Sequence, residues 1–559
     1  MTSESPERLT YEEVAERLTA EGAPFETVEE EVLGQRIQLY KNRARSLREL
    51  LAGSSAHGDK TYFIFDDGRR VTYAEHLRIV ASVARALSED HGVQQGDRVA
   101  ILAANCPEWI VAYWASVSLG AIVVGMNGWW TGDEIQYGLR VSKPKLLIAD
   151  QRRLARLDGA DPGVPTVVVE TDFDALWNRD LDAELPDVPI AEDDPSVILF
   201  TSGTTGRPKA AMLSHRNLCA FVMSTFFIGA RRAMTEPTDS RPGGAGLAVF
   251  PLFHVSGMFG STTTGLAAGT TSVWPTGRFD AKKVIELTKQ HGITTWGGAA
   301  THVFRLLDAV DEMGFDTSVL TSVGIGGSAT TPELIRRSEE RIPQTRGTFG
   351  SGYGSTETGA LVSYANHAML IESPDCVGPP LPTVELRILD EDDNDVGEGV
   401  DGQICVRSPM VMLGYWENDD ANAETLLPER WLKIGDVGRL QRGRLHLAAR
   451  KRDLIIRGGE NIYPVEIENR LEAHPDLLEV AVVGVDHVEL GQEAKAIVVP
   501  REGANPDPEE LKAFVAEKLA YFKVPAYIEV RRDKLPRNAT GKVMKHVLTG
   551  DADNKFVEE

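Results

Sequence analysis

The sequence predicts an α/β protein in which a large N-terminal domain of layered, mostly parallel sheets and helices precedes a small α+β C-terminal domain. Its 559 residues exceed what one hydrophobic core usually supports, so two or more domains are expected. Short apolar runs alternate with amphipathic helical patterns, as over residues 77–87, which is typical of doubly wound layers. After Arg450 the pattern changes to a compact unit of short helices and strands.

That change of pattern sets the predicted domain boundary. We expect a helix from Pro464, strands over 480–485 and 494–499, a helix over 508–519 and a strand over 527–530. The predicted domains are 1–449, with an N-terminal extension at 1–45, and 450–559, with their boundary at 450–453.

An uncharged stretch from Trp109 to Gly132 is longer than the ~20 residues that cross a bilayer. Glycine and asparagine residues interrupt it. A strand over 98–102, a helix from Pro107 and a strand over 121–124 explain it better, as a βαβ unit buried in a parallel sheet. No transmembrane segment is therefore predicted, and the N-terminus lacks the apolar core of a signal peptide.

Composition narrows the partners and the compartment. The net charge of -24 disfavours nucleic acid and anionic membranes as partners, because binding them needs a basic surface. The four cysteines form no Cys-x-x-Cys pair, so neither a zinc site nor a disulfide framework is indicated. A cytoplasmic protein is expected.

Residues 199–209 read Leu-Phe-Thr-Ser-Gly-Thr-Thr-Gly-Arg-Pro-Lys and follow an apolar run typical of a buried strand. Glycines let backbone N–H groups approach a polyanion, while the hydroxyls and cations add donors. The Walker pattern is absent, and a flexible turn is an equal alternative for the loop alone. The candidate phosphate-binding residues are Thr201, Ser202, Gly203, Thr204, Thr205, Gly206 and Lys209.

Further motifs follow in a fixed order. They are Pro-Leu-Phe-His-Val-Ser-Gly at 251–257, Gly-Tyr-Gly-Ser-Thr-Glu-Thr-Gly at 352–359, Ile-Gly-Asp at 434–436, Arg-Lys-Arg-Asp at 450–453, Arg-Gly-Gly-Glu-Asn-Ile-Tyr-Pro at 457–464 and Pro-Arg-Asn-Ala-Thr-Gly-Lys at 536–542. This series resembles the adenylate-forming superfamily of acyl-CoA synthetases, aryl-CoA ligases, luciferases and peptide-synthetase adenylation domains. The resemblance spans roughly residues 46 to 548.

The resemblance implies an ATP-dependent acyl-CoA ligase that works in two half-reactions with Mg²⁺. A carboxylate first attacks the α-phosphate of ATP and expels pyrophosphate, which gives an acyl-adenylate. The thiol of CoA then attacks the activated carbonyl and expels AMP. Fixed donors and cations should stabilise the negative charge that develops in both steps.

The resemblance also assigns the nucleotide site. Tyr353 offers an aromatic face to adenine, Thr356 matches a hydroxyl on the α-phosphate, and Glu357 matches a carboxylate that helps to hold Mg²⁺. Alone, Tyr353 is more typical of a core aromatic and Glu357 of an exposed turn, but their adjacency favours the functional interpretation. The other residues assigned to adenine and ribose are Gly327, Ser328, Ala329, Gly352, Gly354, Asp436 and Arg450.

Three further side chains are assigned to chemistry near the acyl group. Lys542 is expected to serve adenylation. His254 is expected to border the acyl pocket and gate the thiol path, although a lone histidine beside proline and phenylalanine is more often structural. His302 either donates into the acyl pocket or caps a helix, with neither interpretation favoured.

The sequence leaves the identity of the thiol that accepts the acyl group open. By resemblance, Gly458, Gly459 and Glu460 line the tunnel for CoA. The resemblance also implies that the small domain is mobile about a hinge at 450–453, with Arg452 as its pivot. A stand-alone adenylation enzyme that loads a carrier protein is the second interpretation, and a non-catalytic nucleotide-binding protein is the third. Fatty, aryl and sterol side-chain acids all remain open as substrates, an α-amino acid is disfavoured, and the oligomeric state, a homo-oligomer included, is not determined.

Overall fold

A computed structural model describes residues 9–201, 208–236, 244–327, 330–450, 453–457, 460–488, 490–538 and 541–550. The chain begins with α1 (Tyr11–Thr19), β1 (Thr27–Val32), β2 (Gln35–Tyr40) and α2 (Leu47–Gly53). Thr10 and Glu13 form a capping box that starts α1, because each side chain accepts a backbone N–H of the other residue. Buried Arg43 then pairs with Glu30 and with Glu192, which ties the β1–β2 hairpin to the large domain.

The next elements form the first large sheet and its helices, together with two strands, β3 and β4, that belong to the second sheet. They are β3 (Thr61–Phe65), β4 (Arg70–Thr72), α3 (Tyr73–Glu89), β5 (Arg98–Leu102), α4 (Pro107–Ser118), β6 (Ile122–Gly125), α5 (Gly132–Ser142), β7 (Leu146–Ala149), α6 (Gln151–Leu154), β8 (Thr166–Val168), α7 (Phe173–Trp177), β9 (Pro195–Thr201), β10 (Lys209–Ser214) and α8 (His215–Thr235). The strands β9, β6, β5, β7 and β8 run parallel in this order. The predicted strand over 98–102 and the helix from Pro107 are confirmed. Among the described residues, no helix is both long and apolar enough to span a membrane.

A second layer follows. It contains β11 (Ala245–Leu247), a π-helix (Ser256–Thr264), α9 (Gly265–Ala267), β12 (Ser272–Trp274), α10 (Ala281–His291), β13 (Ile293–Gly298), α11 (Ala300–Met313), β14 (Ser322–Ile325), α12 (Pro332–Arg341), β15 (Ser351–Tyr353), β16 (Ser363–Ala365) and α13 (His367–Glu372). The strands β14, β13, β11, β12 and β3 are parallel neighbours, and β4 closes the edge. The glycine-rich pattern typical of a loop near 238–246 is misleading at its end, because burial between β12 and β13 makes Ala245 and Gly246 part of a strand.

A third, antiparallel sheet departs from the expected parallel layers. Its region holds β17 (Cys376–Gly378), β18 (Glu385–Leu389), β19 (Gly402–Arg407), β20 (Gly414–Tyr415), α14 (Asp419–Thr425), β21 (Leu432–Gln441) and β22 (Arg444–Arg450). The order is β17-β22-β21-β19-β18, whereas β20 pairs with β10 of the first sheet. The acidic, glycine-containing segment 390–402 connects β18 to β19, as its turn chemistry predicts.

The C-terminal unit is α+β, as predicted. It contains β23 (Ile455–Arg457), β24 (Glu460–Ile462), α15 (Pro464–Glu472), β25 (Leu477–His487), β26 (Gly491–Pro500), α16 (Pro508–Ala516), β27 (Tyr527–Val530) and α17 (Lys545–Leu548). Ile467 and Leu471 of α15 are fully buried and pack with the apolar face of this sheet. The predicted helix over 508–519 ends earlier as an α-helix, at Ala516.

Candidate active site

The ends of the predicted phosphate loop meet at the edge of the first sheet. Thr201 ends β9 and Lys209 begins β10, and the two residues are register partners. The Thr201 hydroxyl donates to the carbonyl of Lys209 over 3.5 Å. The other predicted members of the loop, Ser202, Gly203, Thr204, Thr205 and Gly206, lie outside the described residues, as do Ser328 and Ala329 of the predicted adenine wall.

The adenine and ribose candidates converge. Tyr353 ends β15 and is largely buried. Its hydroxyl donates to Oδ2 of Asp436 over 2.7 Å, although 83 residues separate the two. Asp436 on β21 is in turn the register partner of Arg450 on β22. The structure therefore brings all three predicted residues to one place.

The turn after Tyr353 is tight and requires glycine. A Cβ atom on Gly354 would lie 2.5 Å from the carbonyl oxygen of Ala360, so no larger residue fits without a backbone shift. Gly359 and Ala360 both adopt positive φ angles, 61° and 75°. The left-handed conformation is unfavourable for alanine and persists only where the surroundings hold it. This turn positions the short helix that carries Thr356 and Glu357.

Glu357 has a partner that the motifs do not reveal. The hydroxyl of Tyr415 on β20 donates to its Oε1 over 3.0 Å. Burial, and secondly the Glu357 charge, raise the pKa of Tyr415, so this hydroxyl stays protonated and remains a donor. The Lys209 ammonium lies 5.1 Å from the centre of the Tyr415 ring, in the range of a cation–π contact. Tyr415 thus connects the phosphate loop to the predicted metal ligand.

The donor set around Glu357 suits Mg²⁺ that arrives with a nucleotide. Carboxylate and hydroxyl oxygens are available from Glu357 and neighbouring Thr356, and hard cations prefer such ligands. The described residues contain no group of three or more His, Cys, Asp or Glu side chains placed to bind a metal. Since Mg²⁺ is commonly held by one or two carboxylates together with substrate phosphates, the residues present fit a nucleotide-borne ion.

The loop of the small domain that carries Lys542 contacts the large domain at the start of α11. A Cβ atom on Gly541, whose φ is +79°, would lie 2.9 Å from Oγ1 of Thr301, so the loop packs closely on the start of α11. Asn538 closes the loop by accepting the Lys542 N–H over 3.0 Å. Burial and, secondly, the nearby Lys542 charge lower the pKa of His254 to about 4. Lys542 and His254, separated by most of the chain, therefore lie close together.

His302 caps a helix. Its Nδ1 accepts the backbone N–H of Ala299 over 3.3 Å, and its ring stacks on Phe279 with centroids 4.4 Å apart. The capping interpretation of this residue is confirmed, and the close stack explains why a histidine fits there.

The predicted CoA and hinge residues are only partly described. Arg452, Gly458 and Gly459 lie outside the described residues. Glu460 begins β24 and is the register partner of Arg457. The roles of these residues in CoA binding and in domain rotation therefore stay predictions.

Two contacts between the domains were missed by sequence reasoning. The hydroxyl of Tyr463 donates to Oδ2 of Asp401 over 2.9 Å. Glu472 at the end of α15 contacts Thr331 at the start of α12 and is mostly buried there. Tyr463 belongs to a recognised motif, but no local pattern identifies its partner 62 residues away.

Known proteins share this arrangement over nearly the whole chain. The family model for AMP-binding enzymes matches residues 52–416, and that for the AMP-binding enzyme C-terminal domain matches 466–542. A long-chain-fatty-acid–CoA ligase of Bacillus subtilis is 31% identical, covering 92% of this chain and 96% of its own length. A fatty acid–[acyl-carrier-protein] ligase of Streptomyces coeruleorubidus is 30% identical, covering 91% and 97%.

A solved structure of o-succinylbenzoate CoA synthetase from Bacillus subtilis, in complex with an acyl-adenylate intermediate, superimposes with a TM-score of 0.74. It is 27% identical and covers 91% of this chain and 98% of that one. The chain belongs to the AMP-binding enzyme family. Within that family it is an AMP-forming acid–thiol ligase of the acyl-CoA ligase class.

Proposed function

We propose that this protein activates a carboxylic acid with ATP and Mg²⁺ as an acyl-adenylate, and then transfers the acyl group to free CoA. The main support for the adenylation half-reaction is the position of Lys542. This residue of the small domain lies near His254 and the start of α11. We propose that this cation acts where the substrate carboxylate and the α-phosphate meet.

In adenylation, Lys542 would stabilise the charge that develops as the carboxylate attacks phosphorus. Two unit charges about 4 Å apart interact by about 1 kcal/mol in water and about 4 kcal/mol at a partly buried site. Thr356 would donate to the α-phosphate, and Asp436 with Arg450 would hold the ribose. Mg²⁺, when bound with ATP beside Glu357, supplies positive charge next to the phosphates.

His254 suits a gate better than a general base. An efficient base has a pKa near the working pH, whereas burial and Lys542 lower the pKa of His254 to about 4. The imidazole is thus neutral at pH 7 and borders the site as an aromatic wall. We propose that movement of this ring opens the path for the thiol.

Thioester formation would use another face of the small domain. We propose that Arg452 is the pivot, and that Gly458, Gly459 and Glu460 then line the tunnel for CoA. The carrier-protein alternative keeps support from the acyl-carrier-protein ligase among the relatives. We also propose a cytosolic location, which the four free cysteines support.

ATP–pyrophosphate exchange with a panel of acids, followed by addition of CoA, tests both halves. We expect acid-dependent exchange and then acyl-CoA. Gly458→Leu should keep exchange and lose CoA-dependent turnover, because a side chain would obstruct the thiol. Transfer to a pantetheinylated carrier protein but not to CoA would favour the second interpretation. Absence of exchange with every acid would contradict the proposal.

A further inference from the structure

A cavity of about 260 Å³ lies between the strand ends of the second layer and the π-helix. Phe250, Gly246 and Gly297 line it on the sheet side, and Ser256 and Ser261 line it on the helix side. Two of its lining residues are near the candidate active site in the chain. Ser256 follows His254 by two residues, and Gly297 precedes Ala299, which packs against Gly541 of the Lys542 loop, by two residues.

The π-helix decides which side chains face this cavity. Its i→i+5 hydrogen bonds give between four and five residues per turn, so positions 0, 4, 5 and 9 fall on one face. Those positions are Ser256, Gly260, Ser261 and Gly265, and all four line the cavity. At 3.6 residues per turn, the same positions would spread over half of the helix circumference.

The hydroxyls around the cavity differ in their partners. On the sheet side, the Thr271 hydroxyl donates to the carbonyl of Thr61 over 2.7 Å, and the Ser272 hydroxyl accepts from the Trp274 indole N–H over 2.8 Å. Within the part of the chain that the structure describes, Ser256 and Ser261 have no side-chain hydrogen bond. The helix side therefore offers two uncommitted hydroxyls on one face.

Glycines keep this cavity open without being needed for packing. A Cβ atom on Gly260 would meet no atom within 4 Å, and one on Gly297 would come no closer than 3.8 Å to its nearest neighbour. Neither residue has a positive φ angle. A larger side chain at either position would therefore occupy the cavity and leave the backbone in place.

We propose that this cavity receives the acyl side chain and selects a compact acid with an oxygen-bearing substituent, which Ser256 and Ser261 hydrogen-bond. The inference rests on the proposed ligase function and adds its substrate class. A cavity of about 150 Å³ holds one benzene ring, so this one holds a substituted ring or a chain of roughly ten atoms. The cavity is partly open, so a chain of sixteen carbons would extend out of it.

Paired acids test the selection. The probes are 3-(4-hydroxyphenyl)propanoate against 3-phenylpropanoate, 8-hydroxyoctanoate against octanoate, and palmitate, each measured as kcat/KM for adenylate formation. We expect at least one hydroxylated acid to exceed its parent about tenfold or more, since a site built to bond a hydroxyl discriminates against its absence. Palmitate should react more than about 100-fold more slowly than the best probe.

Substitution of the two serines tests whether they cause the preference for hydroxylated acids. The double variant Ser256→Ala/Ser261→Ala should reduce the hydroxyl preference to near unity. Ser118→Ala is the matched control, because its hydroxyl donates to the Trp114 carbonyl within α4 and lies on another element. An unchanged preference in the double variant would overturn the inference.

A larger side chain in the cavity tests whether the acid binds there. Gly260→Leu should abolish adenylation of the compact acids while ATP binding, measured by calorimetry, persists. Gly229→Leu, at an exposed glycine of α8, controls for the added leucine. If palmitate is the best acid, or if parent and hydroxylated acids react equally in both pairs, the inference fails although the ligase function stands. If no acid is adenylated, the proposed function itself fails.

Discussion

The two domains contribute to the active site in different ways. In the large domain, side chains from distant segments are hydrogen-bonded to one another. Tyr353 is hydrogen-bonded to Asp436, and Tyr415 is hydrogen-bonded to Glu357. The small domain contributes one short loop, at Lys542, supported by polar contacts such as that of Tyr463 with Asp401.

From this difference we propose that the large domain supplies a fixed part of the site, and that the small domain supplies a part that detaches. Buried, mutually bonded side chains keep their geometry before substrate arrives, which is the preorganisation that electrostatic catalysis requires. Contacts between domains that are polar and few favour relative motion of the domains. We therefore expect changes in the large domain to alter binding and metal use, and changes at the contact surface to alter the balance of the two half-reactions.

The largest effect is expected for Lys542→Ala. Removal of a preorganised charge from the reacting centre should slow acyl-adenylate formation by about 10³-fold. Conversion of a supplied acyl-adenylate to acyl-CoA should persist, because that step would use another face of the small domain. Rapid-quench measurement of each half-reaction checks this, with exposed Lys518→Ala as the control. Equal loss of both steps would contradict the assignment.

The Tyr415→Phe variant tests the fixed part of the site by removing the hydrogen bond to Glu357. A hydrogen bond to a charged group contributes about 1.5–3 kcal/mol, so the loss should slow adenylation by about 10- to 100-fold. Because Glu357 would lose the donor that orients it, the Mg²⁺ concentration for half-maximal rate should rise. A fall in melting temperature with an unchanged Mg²⁺ requirement would instead show a purely structural role.

The Glu472→Gln variant tests whether the small domain detaches, through the pH dependence of adenylation. Burial against the large domain, and secondly Glu468, raise the pKa of Glu472 to about 7, while Arg537 opposes the rise and Glu333 adds to it. The closed orientation thus holds the carboxyl protonated. When the domain detaches, the pKa returns toward 4.5, so closure becomes progressively less favourable from about pH 4.5 to pH 7 and changes little above that.

Adenylation by the Glu472→Gln variant should therefore exceed that of the wild type least near pH 5 and by about tenfold or more at pH 7 and above. Exposed Glu517→Gln in the same domain is the control. Parallel pH profiles for wild type and variant would show that this carboxyl does not report closure.

The smallest effect is expected for Tyr463→Phe. Arg439 also pairs with the Asp401 carboxylate, so the loss of this hydrogen bond should cost about 1.5 kcal/mol, the low end for a bond to a charged group, and slow adenylation about tenfold or less. Thioester formation from a supplied acyl-adenylate should not slow, which distinguishes a contact that holds one orientation from one that supports the fold. Tyr527→Phe, at an exposed tyrosine of β27, is the comparison, and equal slowing of both steps would remove Tyr463 from the closing surface.

Local chemistry explains why much of this protein could be predicted from its sequence. The strand over 98–102, the helix from Pro107 and the small α+β unit follow from apolar periodicity and from helix-starting proline, which act within a few residues. The turn at Gly354 is also local, because its glycine is required by the backbone of the same segment. Motifs of this kind led to the prediction that Tyr353, Glu357 and Asp436 bind the nucleotide and its metal ion.

Only the tertiary structure decided which side chains complete these motifs. Tyr415 reaches Glu357 because β20 joins the edge of the first sheet, 58 residues along the chain from its partner. Ser256 and Ser261 share a face only because their helix is a π-helix. These contacts depend on which surfaces pack together in the folded domain. The free energy that stabilises them comes from packing across the whole domain, so no short stretch of sequence predicts them.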